Sequence, residues 1–211
     1  MTCTYEDFLD CIEAKPQPTQ IKEYAILFKP ALVRAIANTN PDLTPIDPTK
    51  PIKWQTRRLG VKNYQVGDRL WVKEKAKVLE YSGVSRNIKL RYESDGAESW
   101  LDYPERLTWL PVIGQCFPRG SLFREAARLT LEVTAVYQER LQEITPEAIR
   151  AEGVAVYEGD AIIEPATSFD KDIYLDQWVK LWDSINKPNG FGWEENPVVT
   201  VVEFKPIFID Q

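Results

Sequence analysis

Histidine is absent from all 211 residues. Its absence removes Ser-His-Asp and Cys-His nucleophile systems, His-containing zinc sites and imidazole acid-base chemistry. Any catalysis must draw on Glu, Asp, Lys, Thr, Ser, Tyr or Cys. Cysteine is sparse too: Cys3, Cys11 and Cys116 form no C-x-x-C pair. An odd number in a chain large enough to bury its own core points to a reducing, cytoplasmic setting. No apolar run approaches the ~18 residues that cross a bilayer, and the opening residues, with Glu6, Asp7 and Asp10, lack the basic start and apolar stretch of a signal peptide. No membrane partner is expected. Nor is a metal or other cofactor: the acids from Glu158 to Asp176 lack the loop spacing and glycine of an EF-hand and read as solvated surface.

What is present is the composition of a globular protein, 44% hydrophobic and 27% charged, with a net charge of -6. That sign argues against coating of nucleic acid by the whole surface. The charge is unevenly distributed, however. From Lys50 to Arg91 there are twelve Lys/Arg against three acids, a local +9 that leaves -15 for the rest. One central segment is basic on an acidic protein.

Along the chain, residues 1–22 read as an N-terminal extension, with a short helix over Tyr5 to Ala14 and then a Pro-containing stretch. Tyr24-Ala-Ile-Leu-Phe28 suits a buried strand, and Pro30 opens a helix over Ala31 to Ala37. Asn38 to Pro51, with four prolines, is an irregular loop. After the Val66-Gly-Asp68 turn, Arg69 to Val78 alternates as one strand. Leu70, Val72, Glu74, Ala76 and Val78 share one face, and Arg69, Trp71, Lys73, Lys75 and Lys77 the other. Further strands are expected over Asn87 to Tyr92, Leu129 to Tyr137 and Val198 to Phe204, the last central because it is apolar on both faces. Thr145 caps a helix from Pro146 that stops at Gly153. A second helix over Asp172 to Ile185 puts Tyr174, Trp178, Leu181, Trp182 and Ile185 on one stripe, read as core. Asn189-Gly190 turns the chain into the last strand. The expected class is α+β, a small β-barrel or strongly curved sheet decorated by helices.

Lys53-Trp-Gln-Thr-Arg-Arg58 is the densest polar motif. Lys53 and Thr56, three apart, fall on opposite sides of a regular strand, so both serve one site only if a turn or helix end intervenes. A desolvated lysine of lowered pKa is one of the few bases available to activate a threonine hydroxyl; a solvated basic edge is the plainer reading. Glu152, at the negative end of a helix dipole, suits proton transfer, although helix-terminal glutamates are common. Glu74 stands on an apolar face and needs a partner, such as Arg57 or Arg58, or a place in a pocket. Around Trp71, the cations Arg69, Lys73, Lys75 and Lys77 form either a phosphate-tracking surface with one stacking platform or an ordinary charged face.

Taken in order, Ala25-Ile-Leu-Phe28, Leu32-Val-Arg-Ala-Ile36, Lys53-Trp-Gln-Thr-Arg-Arg58, Gly67-Asp-Arg-Leu-Trp-Val72, Leu129-Thr-Leu-Glu-Val-Thr134, Leu141-Gln-Glu-Ile-Thr145, Ala151-Glu-Gly153 and Val199-Thr-Val-Val-Glu-Phe204 form a set. It resembles the ASCH domain, a branch of the PUA-like superfamily, over most of residues 24 to 206. Leu181-Trp-Asp-Ser-Ile-Asn186 and Gly190-Phe-Gly-Trp193 are similar to its phage-encoded members. The resemblance implies a PUA-like β-barrel over residues 23–211, with an insertion at about 95–127, and a cleft for a nucleobase, nucleoside or RNA segment. In members that remove acetyl from N4-acetylcytidine, a lysine, a threonine and a glutamate act; these match Lys53, Thr56 and Glu152, and Arg58 matches the arginine after the threonine. The family's Gly and first Thr are missing, with Ile52 and Trp54 near those positions.

The resulting expectation is a nucleotide- or RNA-binding protein that hydrolyses an amide on a modified pyrimidine. Thr56 would attack or orient water, Lys53 act as base or stabilise the oxyanion, and Glu152 relay a proton. Trp54 would stack on the base, with Arg57, Arg58 and Glu74 also in the binding set. Two alternatives stand beside it: a non-catalytic RNA or DNA reader using the Trp71 face, and a metal-independent ribonuclease.

Overall fold

A computed structural model describes residues 21–60, 62–117 and 122–207. The expected helix over Tyr5 to Ala14, Cys3 and Cys11 lie outside them. The fold is α+β. Its larger sheet has the order β1-β3-β7-β10-β2, built from β1 (Glu23–Leu27), β2 (Gln55–Leu59), β3 (Arg69–Lys73), β7 (Thr130–Arg140) and β10 (Val198–Ile207). β1 runs parallel to β3, and the other neighbours are antiparallel. A second sheet holds β4 (Ala76–Ser82), β5 (Asn87–Tyr92) and β6 (Glu98–Asp102), and β8 (Tyr157–Glu158) pairs with β9 (Ala161–Ile162). Three α-helices complete the described residues: α1 (Pro30–Ala37), α2 (Pro146–Ala151) and α3 (Ser168–Asn186). None is long and apolar enough to cross a membrane.

Among the described residues no ladder joins β1 to β2, the two edges of the larger sheet. Arg58 spans that gap instead, donating from Nη2 to the Leu27 carbonyl at 2.8 Å. β10 lies between β7 and β2 and is buried on both faces from Val199 to Val202, as its apolar run predicts. One face, through Val202 and Phe204, packs with Leu70, Val72, Phe28 and the α1 residues Val33 and Ile36. The other, through Val199, packs with Ile149 of α2 and with Tyr174, Trp178 and Trp182 of α3. A third core fills the smaller sheet, where Phe117, Leu122 and Phe123 from the region of the expected insertion cover Val78, Ile88 and Leu90.

Helix ends follow local chemistry. Thr145 Oγ1 accepts from Ala148 N at 3.2 Å, Pro146 sits in the first turn, and Gly153 leaves the helix at φ +89°. α3 starts at Ser168, four residues before the position expected from its apolar stripe. Thr167 and Asp170 form a capping box there, which extends the helix into a polar turn that hydrophobic spacing does not mark.

The single strand expected over Arg69 to Val78 is two strands in different sheets. The chain breaks at Glu74 and Lys75, yet the inward face persists across the break: Leu70, Val72, Glu74, Ala76 and Val78 are all buried. Glu74 is not paired with Arg57 or Arg58. It accepts from Ser94 Oγ at 2.7 Å and from Arg128 at 3.1 and 2.6 Å, and Arg128 also binds Asp95 and lies 3.8 Å over the Tyr92 ring. These residues end β3, follow β5 and precede β7, so the cluster joins the two sheets. Removing one partner of a buried ion pair leaves an uncompensated charge, at a cost of several kcal/mol. Arg128→Ala should therefore lose about 3 kcal/mol in chemical denaturation. Adding Glu74→Gln should recover part of that loss, and purely additive losses would show that the pairing is not the source.

Candidate functional site

Lys53 reaches the interior because the chain before β2 is not a regular strand. Trp54 N–H donates to the Ala151 carbonyl of α2 and the Trp54 carbonyl accepts from Phe204 N–H of β10, which threads Lys53 between them. Its own N–H donates to Thr39 Oγ1 at 2.9 Å. Gly153 makes room alongside: a Cβ at that position would stand 3.3 Å from the Lys53 Cβ, besides having to adopt φ +89°.

The Lys53 ammonium is fully buried and uses three acceptors, the Gln55 carbonyl at 2.6 Å, the Glu152 carbonyl at 2.7 Å and Glu152 Oε2 at 2.7 Å. Its donors are thus all engaged. Burial pushes the pKa down to about 8, against the pull of Glu152 and with the repulsion of Arg58 and Arg57.

In front of this pair lies a cleft of about 660 Å³, within the range of small-molecule sites. Thr56, Arg57, Arg58, Glu74, Lys75 and Glu152 line it, and Lys53 stands behind Glu152. The three cores meet here, since Phe28, Phe117 and Trp178 each contribute a wall. Five Lys/Arg residues, Lys29, Arg57, Arg58, Lys62 and Lys75, face only two carboxylates, Glu74 and Glu152. Arg58 covers the Phe28 ring at 4.9 Å, and Arg57 lies 6.0 Å from the Trp178 ring. The Lys29 ammonium donates to Ser184 Oγ of α3 at 3.2 Å.

Trp54 does not line the cleft. The aromatic walls come instead from Phe28, Phe117, Trp178 and Trp182; on the apolar stripe of α3 the two tryptophans read as core. Buried they are, at 3% exposure each, and lining residues as well. A helical apolar stripe carries no mark that tells one role from the other. Arg69, Trp71, Lys73 and Lys77 are also away from the cleft. Around Trp71, the Lys73 ammonium stands 5.0 Å and the Arg124 guanidinium 6.0 Å from the ring centroid. Lys75 pairs with Glu93 at 3.0 Å. No described group of three Cys, Asp or Glu residues is placed to hold a metal ion.

No family model matches the sequence, and no curated protein matches it. Among solved structures the chain is similar to the ASCH domain from Lactobacillus crispatus JV V101, with 10% identity and a TM-score of 0.38 over 89% of this chain and 81% of that one. A likeness at that level says nothing of the site.

A lysine whose folded pKa is below its unfolded value binds fewer protons when folded. Its contribution to stability therefore grows as pH rises from the folded pKa of about 8 toward 10.5 and is flat below that window. Relative to Lys53→Met, the native protein should gain stability above about pH 8, approaching about 1 kcal/mol per pH unit. Denaturant melts of both proteins at matched pH check this; a constant difference would mean that Lys53 titrates as an ordinary lysine.

Proposed function

We propose that the cleft binds a nucleotide unit, free or within RNA, and that Glu152 and Thr56, backed by Lys53, hydrolyse an amide on its base. The observation that carries this is the buried Lys53–Glu152 pair at the wall of a cation-rich, aromatic-walled cleft. Cations suit phosphate and flat rings suit a base. The family resemblance of the motifs supports N4-acetylcytidine as the substrate to try, and a PUA-like barrel as the finer description of the fold.

The geometry divides the work among the three residues. As an ammonium, Lys53 has no N–H left for an oxyanion, so its part is to hold Glu152 and to keep positive charge near it. Glu152 lines the cleft and is the proton carrier. Water adds to the acetyl carbon as Glu152 takes one of its protons; the same proton then passes to N4 as the C–N bond breaks, leaving cytidine and acetic acid, which gives up its remaining proton to solvent as acetate. The Thr56 hydroxyl, also at the cleft wall, orients the carbonyl or the water.

The Trp71 face supports a reader function less well, since its ring already carries two cations and its would-be continuous strand is broken at Glu74. Purified protein incubated with N4-acetylcytidine should release cytidine, and Glu152→Gln should slow release by about 10²-fold or more, the usual worth of a positioned acid-base group. No release, or release unaffected by Glu152→Gln, overturns the hydrolase. Binding of cytidine 5′-monophosphate that weakens with salt and with Arg58→Ala would then leave a binding module.

A further inference from the structure

Glu152 is not held by Lys53 alone. Its other oxygen, Oε1, accepts from Arg57 Nη1 at 3.3 Å. Arg57 is itself held, donating from Nε to Glu139 Oε1 at 2.7 Å and from the same Nη1 that meets Glu152 to Gln55 Oε1 at 2.7 Å. Gln55 in turn donates to Glu203 Oε1 at 3.0 Å and to the Tyr137 hydroxyl at 3.2 Å. Sheet register explains the convergence. Gln55 stands opposite Glu203, Arg57 opposite Val201, Val201 opposite Tyr137 and Val199 opposite Glu139, so these polar residues share one face of β2, β10 and β7.

Two carboxylates thus compete for one guanidinium, and the contact to Glu139 is the shorter. The Arg57 side chain is 1% exposed and that of Glu139 16%, so the arginine has been drawn out of water onto a partner nearer the surface. An arginine freed from Glu139 can present its planar fork to Glu152 and take both oxygens, the arrangement that such pairs favour. Glu152 would then turn from Lys53.

We propose that Glu139 is a positioning residue of the candidate site: by holding Arg57 it keeps Glu152 shared between Arg57 and Lys53. Its functional meaning rests on Glu152 being the proton carrier, but its test does not need turnover. The charged and titratable groups concerned are Glu152 at the end of α2, Arg57 and Arg58 from β2, Glu139 and Tyr137 from β7 and Glu203 from β10.

Two substitutions separate this role from simple structural support. Arg57 repels the Lys53 proton, so Arg57→Gln should raise the Lys53 titration midpoint. Glu139→Gln leaves the arginine charge less compensated and lets it draw Glu152 away, so it should lower that midpoint. The measurement is a pH titration of the lysine side-chain nitrogens by NMR in 15N-lysine-labelled protein, with the Lys53 signal assigned by its loss in Lys53→Met. Opposite displacements in the two variants are expected. An unmoved midpoint in folded Glu139→Gln, or a rise like that of Arg57→Gln, overturns the proposal. Should Arg57→Gln fail to fold, Glu139→Gln, which keeps the side chain's size at a partly exposed position, carries the test alone. N4-acetylcytidine turnover on the same samples keeps the two readings apart. A lowered midpoint without native turnover supports Glu139's role while overturning the hydrolase, and native turnover with an unmoved midpoint overturns only the role of Glu139.

Discussion

A fully buried ammonium sets the terms for the rest of this structure. Taking a charge out of water costs several kcal/mol unless it is paired and its hydrogen bonds are filled. Lys53 therefore requires three oxygens at once, and two belong to Glu152, one from its backbone and one from its carboxylate. That requirement fixes the end of α2 against the start of β2. It also accounts for Gly153, because a helix that must expose its last carbonyl to a neighbouring lysine has to turn away immediately. The glycine permits this at φ +89° within van der Waals reach of the Lys53 stem.

From that anchor the charge spreads outward in a chain of pairs: Lys53 to Glu152, Glu152 to Arg57, and Arg57 to Glu139. It runs from a fully buried lysine, through a buried carboxylate and a buried guanidinium, to a glutamate partly in solvent. A second set of pairs, Glu74 with Arg128 and Arg128 with Asp95, plays a matching part at the joint between the sheets. Both sets contribute a carboxylate to the cleft, which is why an opening between three apolar cores is lined with charge yet has few acids in direct reach of a ligand.

How much of this could be read from the residues follows from the range of each interaction. Thr145, Pro146 and Gly153 mark α2 because caps act within a few residues, and the inward set from Leu70 to Val78 was legible because alternation reports which way a side chain faces. Alternation does not report which strand lies alongside. The break at Glu74 that sends β3 and β4 into different sheets left no trace in the pattern, and the partner of Glu74, Arg128, lies 54 residues away. The candidate set of Lys53, Thr56 and Glu152 emerged from ordered motifs. The aromatic walls did not, since a buried tryptophan on α3 looks the same whether its far edge meets protein or an open cleft. Glu139 was hidden for a similar reason: its position near the end of a long strand carries no signal until the register sets it beside Arg57.

The missing histidines now bear on the chemistry as well as on what is excluded. Proton transfer near neutral pH is easiest with a group whose pKa lies near it, and without imidazole that group must be made by displacing another side chain's pKa. Burial displaces the Lys53 pKa down toward neutrality, to about 8. The lysine itself faces no cleft; the carboxylate it grips does. In the proposed reaction a change of charge on Lys53 reaches a ligand in the cleft through Glu152. Arg57 keeps positive charge on the same carboxylate whichever state the lysine is in, so loss of the Lys53 proton would weaken the hold on Glu152 without leaving it unpaired. In the proposed hydrolysis that combination, a carboxylate held by one permanent and one titratable cation, stands in for an imidazole.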